Sequence, residues 1–389
     1  MATSLNDFKE QVQPIIRDRT DNVVTDADYI ASANRTAKAM INDHGIYASK
    51  NTADILVYAN VYEYPLPADF HDLRAISYRG SRTSALRYSG FTETIAVEFW
   101  RRTEERDLIA IDTILGQQFL LLSSQSIGSR SVPNDLSSLT GNGSWAIVAA
   151  TDAINISTDE LIKTVGSASI AFNVDVSASV ANAAAISNTT LRSVDWTNYL
   201  NKAKLFLDVY LPDATNITGV TARWGENSSN YYESTTTTAH SGLALRQGFN
   251  QVGINWNGAT VVGTPVVSSI NYLHLQINYT SAQTDMVSVR FDNVFMALPQ
   301  LLEVQYYSTH YAVDGVTGVK KSKFERMSDT TLLLNVDDDV FFWNLLCDAQ
   351  WILEMFGEKE ESEKRASKAL RTIKARHASE RKQAVVRYY

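Results

Sequence analysis

The sequence has few of the residues that build covalent or metal-centred sites. Its single cysteine, Cys347, excludes an intramolecular disulfide and a cysteine-rich zinc site. Cys347 lies in an apolar run, which indicates a buried, unreactive thiol. The six histidines are scattered, and no two stand at metal-ligand spacing. We therefore expect surface or singly hydrogen-bonded histidines.

Catalytic and membrane motifs are missing as well. The sequence contains no GxSxG, GxGxxG, P-loop or HExxH pattern. No run approaches the ~20 apolar residues of a membrane helix, and the polar N-terminus has no apolar signal-peptide core. We expect a protein without enzymatic activity, cofactor or membrane contact that is made in the cytoplasm.

What is present is ordinary globular composition with an uneven charge. The 389 residues are 44% hydrophobic and 20% charged, with a net charge of −8. Between Gly357 and Tyr389 stand ten Lys or Arg and five Glu, so an acidic body carries a basic tail. Such a tail is typical of a partner-binding segment, and a solvated helix face is an equal alternative.

The first part of the chain predicts two helices followed by strands. One helix runs from Leu5 to Arg19, and a second begins at the capping residue Thr25. A strand over 54–64 is stopped by two prolines, which cannot donate to a sheet. Further strands are expected at 73–78 and 93–102, whereas 108–123 is compatible with strand or helix.

The middle of the chain predicts an antiparallel β-sandwich. After a linker-like stretch near Val132, short alternating segments such as SASIAFNVDVS and KAKLFLDVYLP recur from Trp145 to Leu298. Regular spacing over this length is typical of a jelly-roll-like sandwich. From Pro299 onward a strand, an apolar helix and a charged helix are expected. The predicted fold class is therefore α+β and multidomain, with a base of 1–135 and 300–389 and an inserted sandwich of 136–299.

Paired acids do not indicate a catalytic site. Glu104 and Glu105 are adjacent, so in a strand they point to opposite faces, and the Asp337–Asp339 run is typical of a helix start. A glycosidase needs two acids that face each other across a cleft. Solvated turns and helix caps are the simpler interpretation.

One segment of the sandwich resembles carbohydrate-binding modules. VRFDNVFMAL, residues 289–298, is similar to the last strand of carbohydrate-binding jelly rolls. In those folds an acid at this place often ligates a structural calcium, which would bring Asp292 together with Asp152 and Asp175. Acids in strand-end turns are the alternative. The exposed polar run around Tyr231 and Tyr232 is the candidate sugar contact, although sandwich aromatics are more often core.

The two ends of the chain resemble the head-to-tail adaptor (connector) proteins of tailed bacteriophages. Three stretches carry this resemblance: VVTDADYIASANRTAKAM, YEYPLPADFHDLRAISYRG, and the C-terminal run from LLEVQYYSTHYAV to KARHASERK. They cover some 200 of the 389 residues. The inserted sandwich departs from the pattern of small adaptors.

The resemblance implies a virion structural protein that forms a twelvefold ring beneath the portal. It also implies assembly in the host cytoplasm, contacts with tail or neck proteins, and a channel that passes genomic DNA without sequence-specific binding. The proline-rich turn would form the ring interface, through Pro65, Leu66, Pro67, Asp69 and Phe70. The tail would dock on the portal through Lys364, Arg365, Lys368, Arg371, Lys374, Arg376, Arg381, Lys382, Arg387, Tyr388 and Tyr389.

Two alternatives to the adaptor function stay open. The protein could be a peripheral neck or baseplate protein that binds a glycan or receptor through the sandwich. It could also be a glycan-processing enzyme, which would need convergent acids among Glu104, Glu105 and Asp292.

Overall fold

The computed structural model describes most of the chain. The described residues are 4–16, 23–42, 49–78, 87–88, 108–114, 116–122, 129–134, 136–178, 182–331, 338–353, 355 and 358–372. The predicted strand at 93–102 and the pair Glu104 and Glu105 lie outside them.

The chain divides into two compact units. Unit 1 comprises Met1–Ala53, Pro67–Ile76 and Glu303–Tyr389, and unit 2 comprises Asp54–Leu66 and Ser77–Leu302. The chain therefore passes from one unit to the other four times. The predicted base of 1–135 and 300–389 is larger than unit 1, because residues 54–66 and 77–135 group with the sandwich.

Helices of unit 1 begin where the sequence offers side-chain caps. The described helices are α1 (Leu5–Ile16), α2 (Asp26–Asn42), α3 (Asp338–Ile352) and α4 (358–372). Before α1, the amide of Ser4 donates to Asp7 at 2.8 Å, and the amide of Asp7 donates back to the Ser4 hydroxyl at 3.3 Å. Before α2, the amide of Thr25 donates to Asp28 at 2.8 Å. Each pair satisfies backbone groups that a helix start leaves open.

The core of unit 1 joins the two ends of the chain. Phe8 of α1 stacks on Phe341 of α3 with ring centroids 6.0 Å apart, and Phe341 meets Phe324 edge-on. The α3 residue Asp348 accepts hydrogen bonds from Ser32 and Arg35 of α2. Cys347 is a free, buried thiol, as expected, and burial raises its pKa to about 11.

Two three-stranded sheets accompany these helices. One has the order β1 (Ser49–Val57), β19 (Gln300–Ser308), β3 (Phe70–Tyr78), and most of its residues belong to unit 1. The other has the order β21 (Lys320–Lys321), β20 (Ala312–Val313), β22 (Thr330–Thr331).

The predicted β-sandwich is confirmed in unit 2. Sheet A has the order β15 (Gly248–Asn255), β12 (Lys204–Leu211), β18 (Met286–Ala297), β10 (Ser169–Val174), β9 (Ala153–Asp159), with β7 (Arg130–Asn134) also pairing β18. Sheet B has the order β16 (Thr260–Val262), β14 (Asn230–Thr236), β13 (Ile217–Asn227), β17 (Tyr272–Tyr279), β11 (Ala183–Asn188), β8 (Trp145–Ile147). The pairings within both sheets are antiparallel.

Three tryptophans occupy the space between the two sheets. Trp196, Trp224 and Trp256 are at most 1% exposed. Trp256 meets the other two rings edge-on, with centroids 5.9 Å from Trp196 and 5.5 Å from Trp224. These aromatics are therefore core residues and not a sugar-stacking surface.

A small sheet completes unit 2. Its order is β2 (Glu63–Pro65), β6 (Gln117–Leu122), β5 (Leu108–Ile114), β4 (Arg87–Tyr88). The described residues of the segment predicted as strand or helix, 108–114 and 117–122, thus form a hairpin, and Gly116 before β6 has a φ of 81°, which favours glycine. Among the described residues, no helix combines the length and apolar character that crossing a membrane requires.

Candidate functional site

A cavity of about 590 Å³ opens within unit 2. Its volume lies in the range of small-molecule sites. The lining residues come from β7, β12, β15, β18, the start of β2 and the segment before it, the β9–β10 loop and the β14–β15 connection. They are Asn60, Tyr62, Glu63, Arg130, Thr164, Val165, Asp208, Ala239, His240, Ser241, Leu243, Ala244, Arg246, Phe249, Asn250, Gln251 and Asn293.

Strand alternation explains how sheet A supplies the floor of this cavity. In β12, Leu205, Leu207 and Val209 point into the sandwich core. The residues between them, Phe206 and Asp208, therefore point to the opposite face. The same alternation in β15 places Gln251 on that face, where its amide donates to the carbonyl of Asn60 at 3.2 Å.

The imidazole of His240 is held against this floor by aromatic rings. It meets the rings of Tyr58, Tyr64 and Phe206 edge-on or nearly so, with centroids 5.0–5.7 Å away. The backbone of Gly253 makes room for the ring, because a Cβ there would lie 2.8 Å from His240 Nδ1. Burial, together with the charge of Lys204, lowers the pKa of His240 to about 3. The ring is thus neutral at ordinary pH.

Two buried polar atoms among the cavity-lining residues have no protein partner in the described part of the chain. They are Nε2 of His240 and Oδ1 of Asn60. A buried polar atom without a hydrogen bond costs free energy, and neither atom is accessible from the cavity. Both can accept a hydrogen bond, and His240 in its other tautomer can donate one.

Charged side chains line the cavity beside the neutral side chains of His240 and Asn60. Burial raises the pKa of Glu63, and the positive charge of Arg246 partly opposes this shift. Arg130 and Arg246 are exposed and line the same cavity. The cavity therefore offers carboxyl, guanidinium, amide and imidazole groups beside the rings of Tyr62 and Phe249.

Asp208 is the most deeply buried acid of the lining. It is 6% exposed, and it pairs across the strands with Asp292 of β18, which is 0% exposed. Burial raises the pKa of Asp208 to about 6, against the hydrogen bonds from Thr164 and Asn293, and the Asp292 charge adds to this rise. Burial also raises the pKa of Asp292.

Of the three acids of the predicted calcium site, the structure brings Asp152 and Asp175 together, with the Asp175 amide donating to the Asp152 carbonyl at 2.9 Å, but not Asp292. Asp292 lies opposite Asp208 and accepts hydrogen bonds from the backbone amides of Thr164, Val165 and Asn293. Asp152 instead accepts from the hydroxyl of Tyr279 at 2.5 Å. Asp175 accepts from Ser177. Within the described residues, no group of three or more His, Cys, Asp or Glu could hold a metal ion.

The predicted sugar contacts lie on sheet B and not at the cavity. Tyr232 is half-buried and packs against Trp224 and Trp256, at 6.2 and 5.2 Å between centroids. The ring of Tyr231 lies under the guanidinium of Arg223 at 5.1 Å. Tyr232 therefore belongs to the sandwich core, whereas its neighbour Tyr231 points to the outer face of sheet B.

Residues of the predicted ring-interface turn pack against neighbouring side chains of the same chain and form hydrogen bonds with them. Leu66 and Phe70 are each 4% exposed, and Phe70 stacks on Tyr306 at 5.5 Å. Asp69 accepts hydrogen bonds from Tyr306 at 2.8 Å and from Ser308 at 2.7 Å. Pro65 pairs with Phe119 at the end of β2, and Pro67 is half-buried.

The predicted portal-binding residues are described only in part. Lys364 and Arg365 in α4 form ion pairs with Glu360 and Glu361 one turn earlier. Lys368 and Arg371 are exposed. Lys374, Arg376, Arg381, Lys382, Arg387, Tyr388 and Tyr389 lie outside the described residues.

No protein-family model and no curated protein matches the chain. Similar solved structures include the family 30 carbohydrate-binding module of a cellulosomal cellulase of Clostridium thermocellum, with TM-score 0.27, 13% identity, and 37% of this chain and 85% of that one covered. A mannan-recognising carbohydrate-binding module has TM-score 0.26 and 12% identity, and 45% and 96% are covered. A promiscuous module of the β-sandwich superfamily has TM-score 0.30 and 9% identity, and 62% and 96% are covered.

These neighbours are described as carbohydrate-binding modules. Their TM-scores are too low for the likeness to carry an argument about function. Nothing in the comparisons supports the resemblance to phage adaptors.

Proposed function

We propose that the protein binds a glycan in the cavity of unit 2, as a non-catalytic virion protein. The observation that carries this proposal is the polar lining of the cavity, where the carboxyl group of Glu63, the guanidinium group of Arg246 and the amide of Gln251 converge. The low-similarity structural neighbours add nothing to it.

The lining suits a ligand with many hydroxyl groups. A hydroxyl both donates and accepts hydrogen bonds, so it can pair with the carboxyl, guanidinium and amide groups of the lining alike. The rings of Tyr62 and Phe249 add apolar surface for the C–H face of a sugar ring. Small-molecule sites are usually concave and mostly apolar with a few placed polar groups, so the many polar groups of this cavity favour a ligand rich in hydroxyls.

Binding without hydrolysis is part of the proposal. Of the acids named for the enzyme alternative, Asp292 accepts three backbone hydrogen bonds, whereas Glu104 and Glu105 lie outside the described residues; the cavity itself carries two other acids, Glu63 and Asp208. Release of reducing sugar from a bound glycan would contradict this part.

Removing one cavity contact should weaken glycan binding. We expect Phe249→Ala and Gln251→Ala each to raise Kd by at least about 10-fold, which corresponds to ~1.4 kcal/mol. The full chain would first be screened on a glycan array, and Kd of the best glycan would then be measured by titration calorimetry.

Tyr231→Ala is the matched control, since this residue lies on β14 of sheet B and away from the cavity lining. Unchanged Kd in Tyr231→Ala with weakened binding in the two cavity variants supports the cavity. The reverse pattern moves the sugar site to β14, and no binding on the array contradicts the proposed function.

A second candidate function is the head-to-tail adaptor of a tailed phage. What favours it is that both chain ends build one helical unit, with an exposed basic stretch at Lys368 and Arg371 near the end of the described chain. On this proposal, unit 1 would contact the portal, further copies of the chain in a ring, and tail or neck proteins at the head–tail interface.

Electron microscopy of portal rings mixed with the protein tests this second function. The portal would come from the same genome, and we expect an added collar that is lost on deletion of residues 357–389. Portal rings that stay unchanged with the full chain would contradict the adaptor function and leave the glycan proposal intact.

A further inference from the structure

One hydroxyl in the cavity wall contacts two buried carboxyl groups at once. Oγ1 of Thr164 lies 2.7 Å from Oδ2 of Asp208 and 2.9 Å from Oδ2 of Asp292. A hydroxyl has a single hydrogen, so it can donate to only one of these oxygens. The other contact is a hydrogen bond only if that carboxyl group carries a proton.

The remaining donors show which acid holds the negative charge. Asp292 accepts from the amides of Thr164 at 2.5 Å, Val165 at 3.1 Å and Asn293 at 2.8 Å. Hydrogen bonds to the charged form favour that form. Asp208 receives only the Asn293 side-chain amide, at 3.0 Å, besides the contact with Thr164 and one from Gln251. The proton therefore belongs on Asp208, which donates to Thr164, while Thr164 donates to Asp292.

This chain of hydrogen bonds holds the tip of a loop whose base is held separately, since the Ile162 carbonyl accepts from Ser169 at 2.6 Å and the Ser167 amide donates to Ser137 at 3.3 Å. Residues 160–167 are exposed except for half-buried Ile162, and Leu161 is 92% exposed. At its start the loop is fixed by Asp159, which accepts from the amide of Leu161 at 2.8 Å. At its tip it is fixed by Asp292 and Asp208. Thr164 and Val165 also line the cavity.

We propose that a single proton on the Asp208–Thr164–Asp292 chain fixes the 160–167 loop as a wall of the cavity, and that loss of this proton frees the loop. With both acids ionised, two negative charges share one hydroxyl hydrogen in a buried place, and one short oxygen–oxygen contact becomes repulsive. The loop then moves away from Asp208 and Asp292, because it buries almost no side chain. The expectation that ligand affinity changes with the state of the loop rests on the proposed function. The expectation that the loop itself responds to pH does not.

The groups that could titrate around Asp208 are few. Among the described residues they are Asp292 on β18, Tyr62 before β2, Glu63 in β2 and His240 in the β14–β15 connection, with Arg130 and Arg246 as fixed charges of the same cavity. His240 stays neutral because its pKa is lowered to about 3, and burial raises the pKa of Tyr62 further above neutrality. Glu63, whose pKa is also raised, needs a control of its own.

The sign of the effect follows from the raised pKa of Asp208. A proton retained more tightly in the folded state stabilises that state at low pH, and the contribution is lost as pH rises through the folded pKa of about 6. The loop is therefore fixed at pH 5 and released at pH 8.

Hydrogen–deuterium exchange of the free protein tests the loop without any ligand. After correction for intrinsic exchange, we expect protection of the peptide spanning 160–167 to fall at least about 10-fold between pH 5 and pH 8, with a midpoint near 6. Asp208→Asn, whose amide can donate permanently to Thr164, should keep the loop protected at pH 8. Thr164→Val should abolish the pH dependence, and Glu63→Gln should retain it.

Equal corrected protection of wild type at both pH values, or loss of protection with the same midpoint in Asp208→Asn and Thr164→Val, would overturn the inference. Kd of the glycan measured at pH 5 and pH 8 separates the two proposals. A pH-dependent loop with no glycan bound at either pH defeats only the proposed function. Glycan binding with a loop whose protection does not change with pH defeats only this inference.

Discussion

Replacing Trp256 with alanine should destabilise unit 2 by roughly 3–5 kcal/mol, the range for truncating a large buried aromatic side chain. Trp256 is 1% exposed and contacts Trp196, Trp224 and Tyr232 across the space between the two sheets. Alanine would leave a cavity that both sheets border. For a unit of this size we expect the melting temperature to fall by on the order of 10 °C.

The variant Trp256→Phe distinguishes the packing contribution of the Trp256 ring from the cost of its buried indole N–H. The indole N–H of Trp256 is buried without a partner among the described residues, whereas that of Trp196 donates to Ser131 at 2.9 Å. Phenylalanine removes the unsatisfied N–H and keeps much of the volume, so its cost should be well below that of alanine. Val261→Ala, at a side chain 56% exposed, is the control. Chemical denaturation that gives equal stabilities for Trp256→Ala and Val261→Ala would contradict the assigned core.

Replacing Asp69 with alanine should lower the stability of unit 1 by about 3 kcal/mol, since each buried group left without its partner costs roughly 1–3 kcal/mol. Asp69 accepts from Asn51 at 2.9 Å, Tyr306 at 2.8 Å and Ser308 at 2.7 Å, and Ser308 is 0% exposed. Alanine leaves these donors unpaired. Thermal unfolding followed by circular dichroism measures the change, and Ala68→Ser in the same exposed turn should stay within about 0.5 kcal/mol.

The same carboxyl group makes unit 1 sensitive to acid. Burial alone would raise the pKa of Asp69, but the hydrogen bonds from Ser308, Tyr306 and Asn51 and the charge of His310 outweigh it and lower the pKa below the usual value. Its stabilising contribution is therefore present above the unfolded pKa of about 4 and is lost as pH falls through the folded value. In Asp69→Ala the acid-induced loss should be smaller than in wild type. An identical acid profile in the two proteins would contradict the role given to Asp69.

Much of the architecture could be predicted from local patterns. Alternating apolar residues in segments such as KAKLFLDVYLP specify which side of a strand is buried, and Leu205, Leu207 and Val209 do face the core. Thr25 and the acids after it indicate the start of α2 correctly. The segment 108–123 stayed ambiguous because a short apolar run fits helix and strand alike, and the hairpin at Gly116 depends on pairing with other strands.

The candidate site could not be predicted, because its residues converge only in the folded chain. Asp208 meets Asp292 through the strand order of sheet A, which no sequence spacing reveals, and this order also keeps Asp292 away from Asp152. His240 lies in a polar run with no motif around it. The one residue in the sequence that relates to the position of His240 is Gly253, because the missing side chain of Gly253 leaves space for the His240 imidazole.

The fourfold passage of the chain between the two units has a consequence for synthesis on the ribosome. The helices α1 and α2 emerge first, but their core partner Phe341 follows about 300 residues later. At a translation rate of about 5–20 residues per second, roughly 15–60 s pass between the synthesis of these helices and the synthesis of α3. All of the sandwich is translated in that interval, so it can fold before the nascent chain completes the unit to which its first helices belong.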